Sequence, residues 1–379
     1  MRLLPLFVFW CLWFLNFSTR AAFAPILPLI EDHLSLSHGK AGGLFFSLSI
    51  GYGLAVLVVG RFAYILGYKR LVVAGFIGTC LVSLGIQWAG NYLTFHILFF
   101  LLGIATGAYL PSIIPIITET YEYRHWGKAI GFHDSAASLS IFAIPILVAF
   151  GLRFFSWQQL LLILGIASLL LPIFFWKVSV EPKKEMPWSE GNYVDLFRKK
   201  KIWIMGILWV FAAGSSMGIY SVLPLYLIKE RGIELHFANT LFGISRFGGV
   251  FVSILVGFLT DRYGYRRMLT VSLLATGLST ICLSVASTLP MILITLLLQA
   301  TFSLAFFPVG LVAISKFTSL SERAMATGVI LSMGVIFGMG STPFVLGVIA
   351  DYFSFRIGIL GLGVLTTLSS LAVGLLEEK

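Results

Sequence analysis

The stretch Gly257-Phe258-Leu259-Thr260-Asp261-Arg262-Tyr263-Gly264-Tyr265-Arg266-Arg267 closes one long apolar run and opens the next. Its residue types suit a tight turn at a membrane surface. Glycine permits a sharp reversal, a carboxylate at a helix N-terminus meets the positive end of the helix dipole, and arginines on a short loop can pair with acids on a neighbouring element. A fainter copy stands 197 positions earlier. Gly60, Gly67, Lys69 and Arg70 match Gly257, Gly264, Arg266 and Arg267, while Tyr64 and Ile65 occupy the places of Asp261 and Arg262. Other echoes follow at nearly the same offset: Ala129-Ile130-Gly131 with Ala326-Thr327-Gly328, Pro145 with Pro343, Phe155-Ser156-Trp157 with Phe353-Ser354-Phe355, and Leu27-Pro28-Leu29 with Leu223-Pro224-Leu225. Matches in one order at one offset indicate that the chain is a duplication.

Composition says in which solvent the two copies fold. Of 379 residues, 11% are charged and 58% hydrophobic, with a mean hydropathy of +0.97, against about 25% charged in soluble domains. Too few polar groups exist to cover a water-soluble body, and disorder is excluded by the same numbers. The apolar runs are long and do not alternate, so they predict spanning helices of about 20 residues and not barrel strands. Twelve are expected, at about 3–29, 41–60, 71–90, 93–117, 129–150, 159–176, 202–228, 238–258, 268–287, 291–314, 325–347 and 357–376. The fold class is all-α membrane protein, with two pseudo-symmetric six-helix bundles: residues 1–176, a cytoplasmic linker 177–201, and residues 202–379. Parallel repeats of this kind mark a transporter whose halves rock about a site at the midplane.

The net charge of +10 is largely a topology signal. With both termini cytoplasmic, 19 basic residues fall in inner segments and five in outer ones, as the positive-inside rule requires. The chain is thus expected to be a multi-pass protein of the cell inner (plasma) membrane, acting as a monomer and binding no nucleic acid. Arg2, the first apolar run and Ala22-Phe23-Ala24 imitate a signal peptide. The run is longer than such peptides use, and it is read as the first span. The linker ends in Arg198-Lys199-Lys200-Lys201, a topology determinant that anionic lipid would also attract. Cys11, Cys80 and Cys282 sit in apolar runs at unrelated spacings, without disulfide or metal logic.

The loop motif, its partial first-half copy and the twelve-span pattern resemble the major facilitator superfamily over essentially the whole length. The resemblance implies the fold of that family and alternating access. It also implies a gating role for Gly257, Asp261, Arg262, Gly264, Arg266 and Arg267, latching the inner side against the start of the fifth span near Lys128–Ala129. Gly60, Gly67, Lys69 and Arg70 would form the counterpart, but the Tyr64 phenol cannot supply the anion that Asp261 supplies.

Two cations remain inside spans, Arg20 and Arg246, at matching depth of roughly 12–14 Å below the outer surface. An ionisable residue there costs about 2.5–3.5 kcal/mol on insertion scales and is a functional hypothesis by default. No Asp or Glu lies comparably deep, so the pair calls for an anion, and the planar guanidinium suits carboxylate or phosphate oxygens. At the repeat offset their counterparts are Met217 and Ser49, so each arginine is an addition to one copy. The structural alternative is that each bonds backbone carbonyls at a helix break. Asn16, one turn before Arg20, and Tyr109, Tyr220 and Gln299 are further candidates for the substrate path, although such groups also serve as interhelical hydrogen bonds. His133 and Asp134 are the candidates for proton coupling. No nucleotide fingerprint, nucleophile–base pair, metal spacing or cofactor motif occurs. The expected activity is secondary transport of a small organic anion, with efflux of amphipathic drug-like compounds or a non-transporting membrane sensor as alternatives; an enzyme is not expected.

Overall fold

In hydrocarbon each backbone N–H and C=O needs a partner within its own segment, which leaves helix as the available form for a single apolar run. The computed structural model describes residues 3–182 and 193–376, and no strand occurs among the described residues. Among the described residues, eleven spans are long and apolar enough to cross a bilayer: Leu3–Leu34, His38–Leu66, Tyr68–Ile86, Tyr92–Thr120, Tyr123–Gly151, Trp157–Val178, Lys200–Glu230, Tyr265–Val285, Leu289–Phe317, Met325–Tyr352 and Phe355–Leu375. The remaining crossing, eighth in order, comes as two pieces, Leu235–Ser245 and Gly248–Tyr263, neither long enough alone. The expected twelve helices are therefore present.

Several helices are interrupted. The first changes direction at Ala22, between Leu3–Ala21 and Phe23–Leu34. The fourth and tenth break at Ala108 and Ala305, which are 197 residues apart and so equivalent in the repeat. The break in the eighth at Arg246 and Phe247 has no such counterpart, because His38–Leu66 is continuous through Ser49. Widened π-helical turns occur at Gly214–Gly218 and Tyr226–Glu230 of the seventh helix and Gly334–Gly340 of the eleventh.

The loop glycines behave alike in both copies. Gly67 has φ 93° and ψ 149°, and Gly264 has φ 83° and ψ 149°. This is a region that residues with a Cβ avoid. A second equivalent pair, Gly51 and Gly248, serves close packing. A Cβ on Gly51 would strike the Phe100 carbonyl, and one on Gly248 would strike the Thr301 side chain.

Contacts divide the chain into two compact units, Met1–Leu29 with Ser47–Pro187, and Ile30–Phe46 with Trp188–Lys379. The first packs on a core that includes Phe9, Leu12, Trp13, Phe76, Tyr109 and Ile113. The second packs on one that includes Met205, Trp209, Leu273, Phe306 and Ile330. Residues 30–46, the end of the first helix, its turn and the start of the second, belong to the second unit. Asp351 accepts from the backbone N–H of His38 and Gly39 at 2.8 and 2.9 Å, and so caps the second helix. Glu230 caps the twelfth through Phe355 and Arg356 in the same way. Lys229 pairs with Asp32, and His38 with Glu31. Linker positions 183–192 lie outside the described residues.

Candidate functional site

Arg20 sits one residue before the end of the first helix piece and is wrapped by aromatic rings. Its guanidinium carbon is 4.6 Å from the Phe17 and Tyr52 ring centres and 5.9 Å from that of Trp13. Nε and Nη2 are buried without a hydrogen-bond partner. These two nitrogens point their hydrogens in parallel, the fork that grips a carboxylate in two places. One turn earlier, Asn16 donates Nδ2–H to the Thr106 carbonyl at 3.2 Å. A carbonyl only accepts, so the amide orientation is settled and Oδ1 is the free end; it too is buried and unpartnered.

Arg246 caps the C-terminal end of Leu235–Ser245 and is 2% exposed. Its guanidinium lies 5.0 Å from the Tyr220 ring and 5.5 Å from the Phe242 ring. Nε, Nη1 and Nη2 are all buried without a partner. At the helix break its backbone N–H donates to the Gly243 carbonyl and its carbonyl accepts from Gly249, while its side chain is bonded to no carbonyl. Cation–π contacts return about 0.5–2 kcal/mol, which falls short of the cost of a charge at this depth. The Tyr220 hydroxyl is buried and unpartnered, as are Ser216 Oγ, one turn earlier on the seventh helix, and Gln299 Oε1. Gln299 donates Nε2–H to the Ser215 carbonyl at 2.6 Å, which again fixes its oxygen as the free end.

Tyr109 and His133 form a separate cluster in the first unit. The Tyr109 hydroxyl donates to the Phe9 carbonyl at 3.1 Å and lies 3.1 Å from His133 Nε2. Its one hydrogen is engaged by Phe9, so His133 carries its proton on Nε2 and donates. Nδ1 is buried without a partner. Trp13 stacks on both rings, at 5.4 and 5.7 Å, and donates its indole N–H to Asp134 at 3.3 Å. Trp10 adds a hydrogen bond to Ser135 at 3.0 Å. His133 and Asp134 are thus both held by Trp13 of the first helix, one by ring stacking and the other by hydrogen bonding.

The loops that carry the duplicated motif differ between units. Asp261 and Arg262 are exposed at the end of the eighth helix, Arg262 lies over Tyr263, and Arg266 donates to the Leu376 carbonyl. In the first copy the anion comes from outside the motif. Glu181 accepts from the Tyr68 and Lys69 backbone N–H groups at 2.7 and 3.1 Å, capping the third helix, and Lys69 Nζ donates to the Trp176 and Ser179 carbonyls. Sequence reading missed Glu181, because nothing local joins positions 113 residues apart. In the second unit, Lys199 donates to Glu322 at 2.6 and 2.7 Å, and that hydrogen bond holds the Glu322 carboxyl below its usual range. No cluster able to hold a metal ion occurs among the described residues.

Comparison with known proteins adds to this geometry. The chain is 26% identical over 277 residues to "Probable sulfoacetate transporter SauU" of Cupriavidus necator, covering 68% of this chain and 64% of that protein. It is 23% identical to the gallate transporter of Pseudomonas putida, covering 69% and 66%. The matches thus span just under two thirds of these relatives' length. Among solved structures, a bacterial homologue of the human lysosomal transporter Spinster, inward-facing and unoccupied, superposes with a TM-score of 0.84 at 15% identity, covering 98% of this chain and 96% of that one. A D-xylose–proton symporter gives 0.83 at 16% identity, covering 98% and 97%. At such identities these likenesses speak for the fold alone. The family model of the Major Facilitator Superfamily matches residues 9–244 and 210–379. With its twelve helices, its duplicated loop motif and that match along its length, the chain belongs to the Major Facilitator Superfamily.

Proposed function

We propose that the protein is a secondary transporter that carries a small organic anion across the cell inner (plasma) membrane by alternating access. Arg20 in one unit and Arg246 in the other each offer a guanidinium to an acidic group. The observation that carries this reading is the set of buried, unpartnered guanidinium nitrogens on both residues. A positive charge held among aromatic rings at membrane depth, with no carboxylate bonded to it, gains most from an anion that arrives and leaves. The relatives named for sulfoacetate and gallate support the same cargo sign. Asn16, Tyr220 and Gln299 take part in binding, while Tyr109 braces Trp13 beneath Arg20. Asp261 and the loop arginines gate the inner side, and His133 with Asp134 are the groups through which a proton would couple. The aromatic rings around both arginines favour efflux of amphipathic compounds as a second reading.

The deciding experiment is uptake by the purified chain in proteoliposomes, screened with carboxylates and phosphates, against Arg20→Gln and Arg246→Gln. Loss of two charge-assisted hydrogen bonds should weaken anion transport by at least about tenfold in each variant. Undiminished anion transport in both would overturn the arginine assignment and leave the efflux reading in front.

A further inference from the structure

We infer that the cargo is a hydroxylated organic acid, whose acidic group meets an arginine fork while a hydroxyl donates to the free amide oxygen beside it. The inference rests on the anion reading above and narrows it. Its basis is the sign of each free hydrogen-bonding atom. In the first unit the buried unpartnered atoms at the site are Arg20 Nε and Nη2, which donate, and Asn16 Oδ1, which accepts. In the second they are Arg246 Nε, Nη1 and Nη2, which donate, Gln299 Oε1, which accepts, and the Tyr220 and Ser216 hydroxyls, which do either. A carboxylate, sulfonate or fully ionised phosphate offers only acceptors. It satisfies the arginines and leaves Asn16 Oδ1 and Gln299 Oε1 facing nothing that can donate.

Neither oxygen is free through an arbitrary choice of amide orientation. Each amide nitrogen is fixed on a backbone carbonyl, Thr106 for Asn16 and Ser215 for Gln299. The oxygens are therefore presented in place, one in each unit. Asn16 is one helical turn from Arg20 on the same face. Gln299 is bonded to Ser215, whose neighbour Ser216 lies one turn before Tyr220, the ring packed on Arg246. The donor that completes such a pair is a hydroxyl. An ammonium would also donate, but it would stand beside an arginine without a carboxylate bonded to it, and like charge disfavours it.

The test uses the full chain in proteoliposomes with matched acids that differ by hydroxyl groups: gluconate with hexanoate, lactate with propionate, and 4-hydroxybenzoate with benzoate. Leaving one buried acceptor unpaired costs about a factor of ten. In at least one pair, then, the hydroxylated acid should be taken up, or should compete, about tenfold better than its partner. Asn16→Leu and Gln299→Leu should each shrink that ratio towards one, whatever their effect on the absolute rate. Should either variant fail to fold, the wild-type ratio alone decides. Equal handling of both members of every pair, with uptake still lost in Arg20→Gln, overturns the hydroxyl inference and spares the anion reading. Absence of uptake or competition by any acid overturns both.

Discussion

Gly67 and Gly264 show how single positions hold the two copies to one plan. They occupy the same place in the loop motif and share a backbone conformation open in practice to glycine alone. Nothing lies within 4 Å of where a Cβ on Gly264 would stand, so its requirement is conformational and not steric. Gly264→Ala should therefore cost about 1–3 kcal/mol through backbone strain, visible as a lowered thermal unfolding midpoint in detergent. An unchanged midpoint would mean that the loop relaxes around alanine. The sequence allowed this role to be read, because the glycine's chemistry is local. It also exposed Tyr64 as a misfit, but Glu181, which answers it, was out of reach. A carboxylate that folds back from the end of the sixth helix leaves no periodic or spacing signal at Tyr68.

At the scale of helices, the number and order of crossings were legible because hydropathy acts over about twenty residues. Interruptions were less so. The first helix, which carries Pro25 and Pro28 beyond Arg20, breaks at Ala22. The break at Arg246 has no proline behind it; it precedes Gly248 and Gly249, pressed against Thr301 and Leu304. Partners on another helix decide such features. The caps follow the same rule, since Glu181, Asp351 and Glu230 each serve a helix distant in sequence. Glu181→Gln weakens the cap on the third helix and should lower stability by about 0.5–2 kcal/mol, read as a shift in thermal midpoint. Glu181→Asp, with a shorter reach, should recover part of it. If the glutamine form unfolds with wild-type behaviour, the cap contributes nothing measurable.

For the molecule as a whole, duplication was plain in the sequence, while the way residues 30–46 join the second unit was not. That turn is sequence-continuous with the first bundle, yet its caps and ion pairs are with Lys229 and Asp351. In the transport cycle proposed above, the loop of Asp261 is the place where bonds are made and broken. Asp261→Asn should lower turnover by several-fold while leaving apparent substrate affinity close to wild type, because the change touches gating and not binding. Initial rates across a substrate series separate the two, and an equal loss in both would point to the binding site instead. Arg246 has one more consequence, which concerns how the protein is made. An eighth segment divided by an unpaired guanidinium is a poor candidate to enter the bilayer alone, at about 2.5–3.5 kcal/mol for the charge. Tyr220 and the seventh helix cover that charge in the finished protein. Insertion of the eighth segment is therefore expected to gain from the seventh lying beside it.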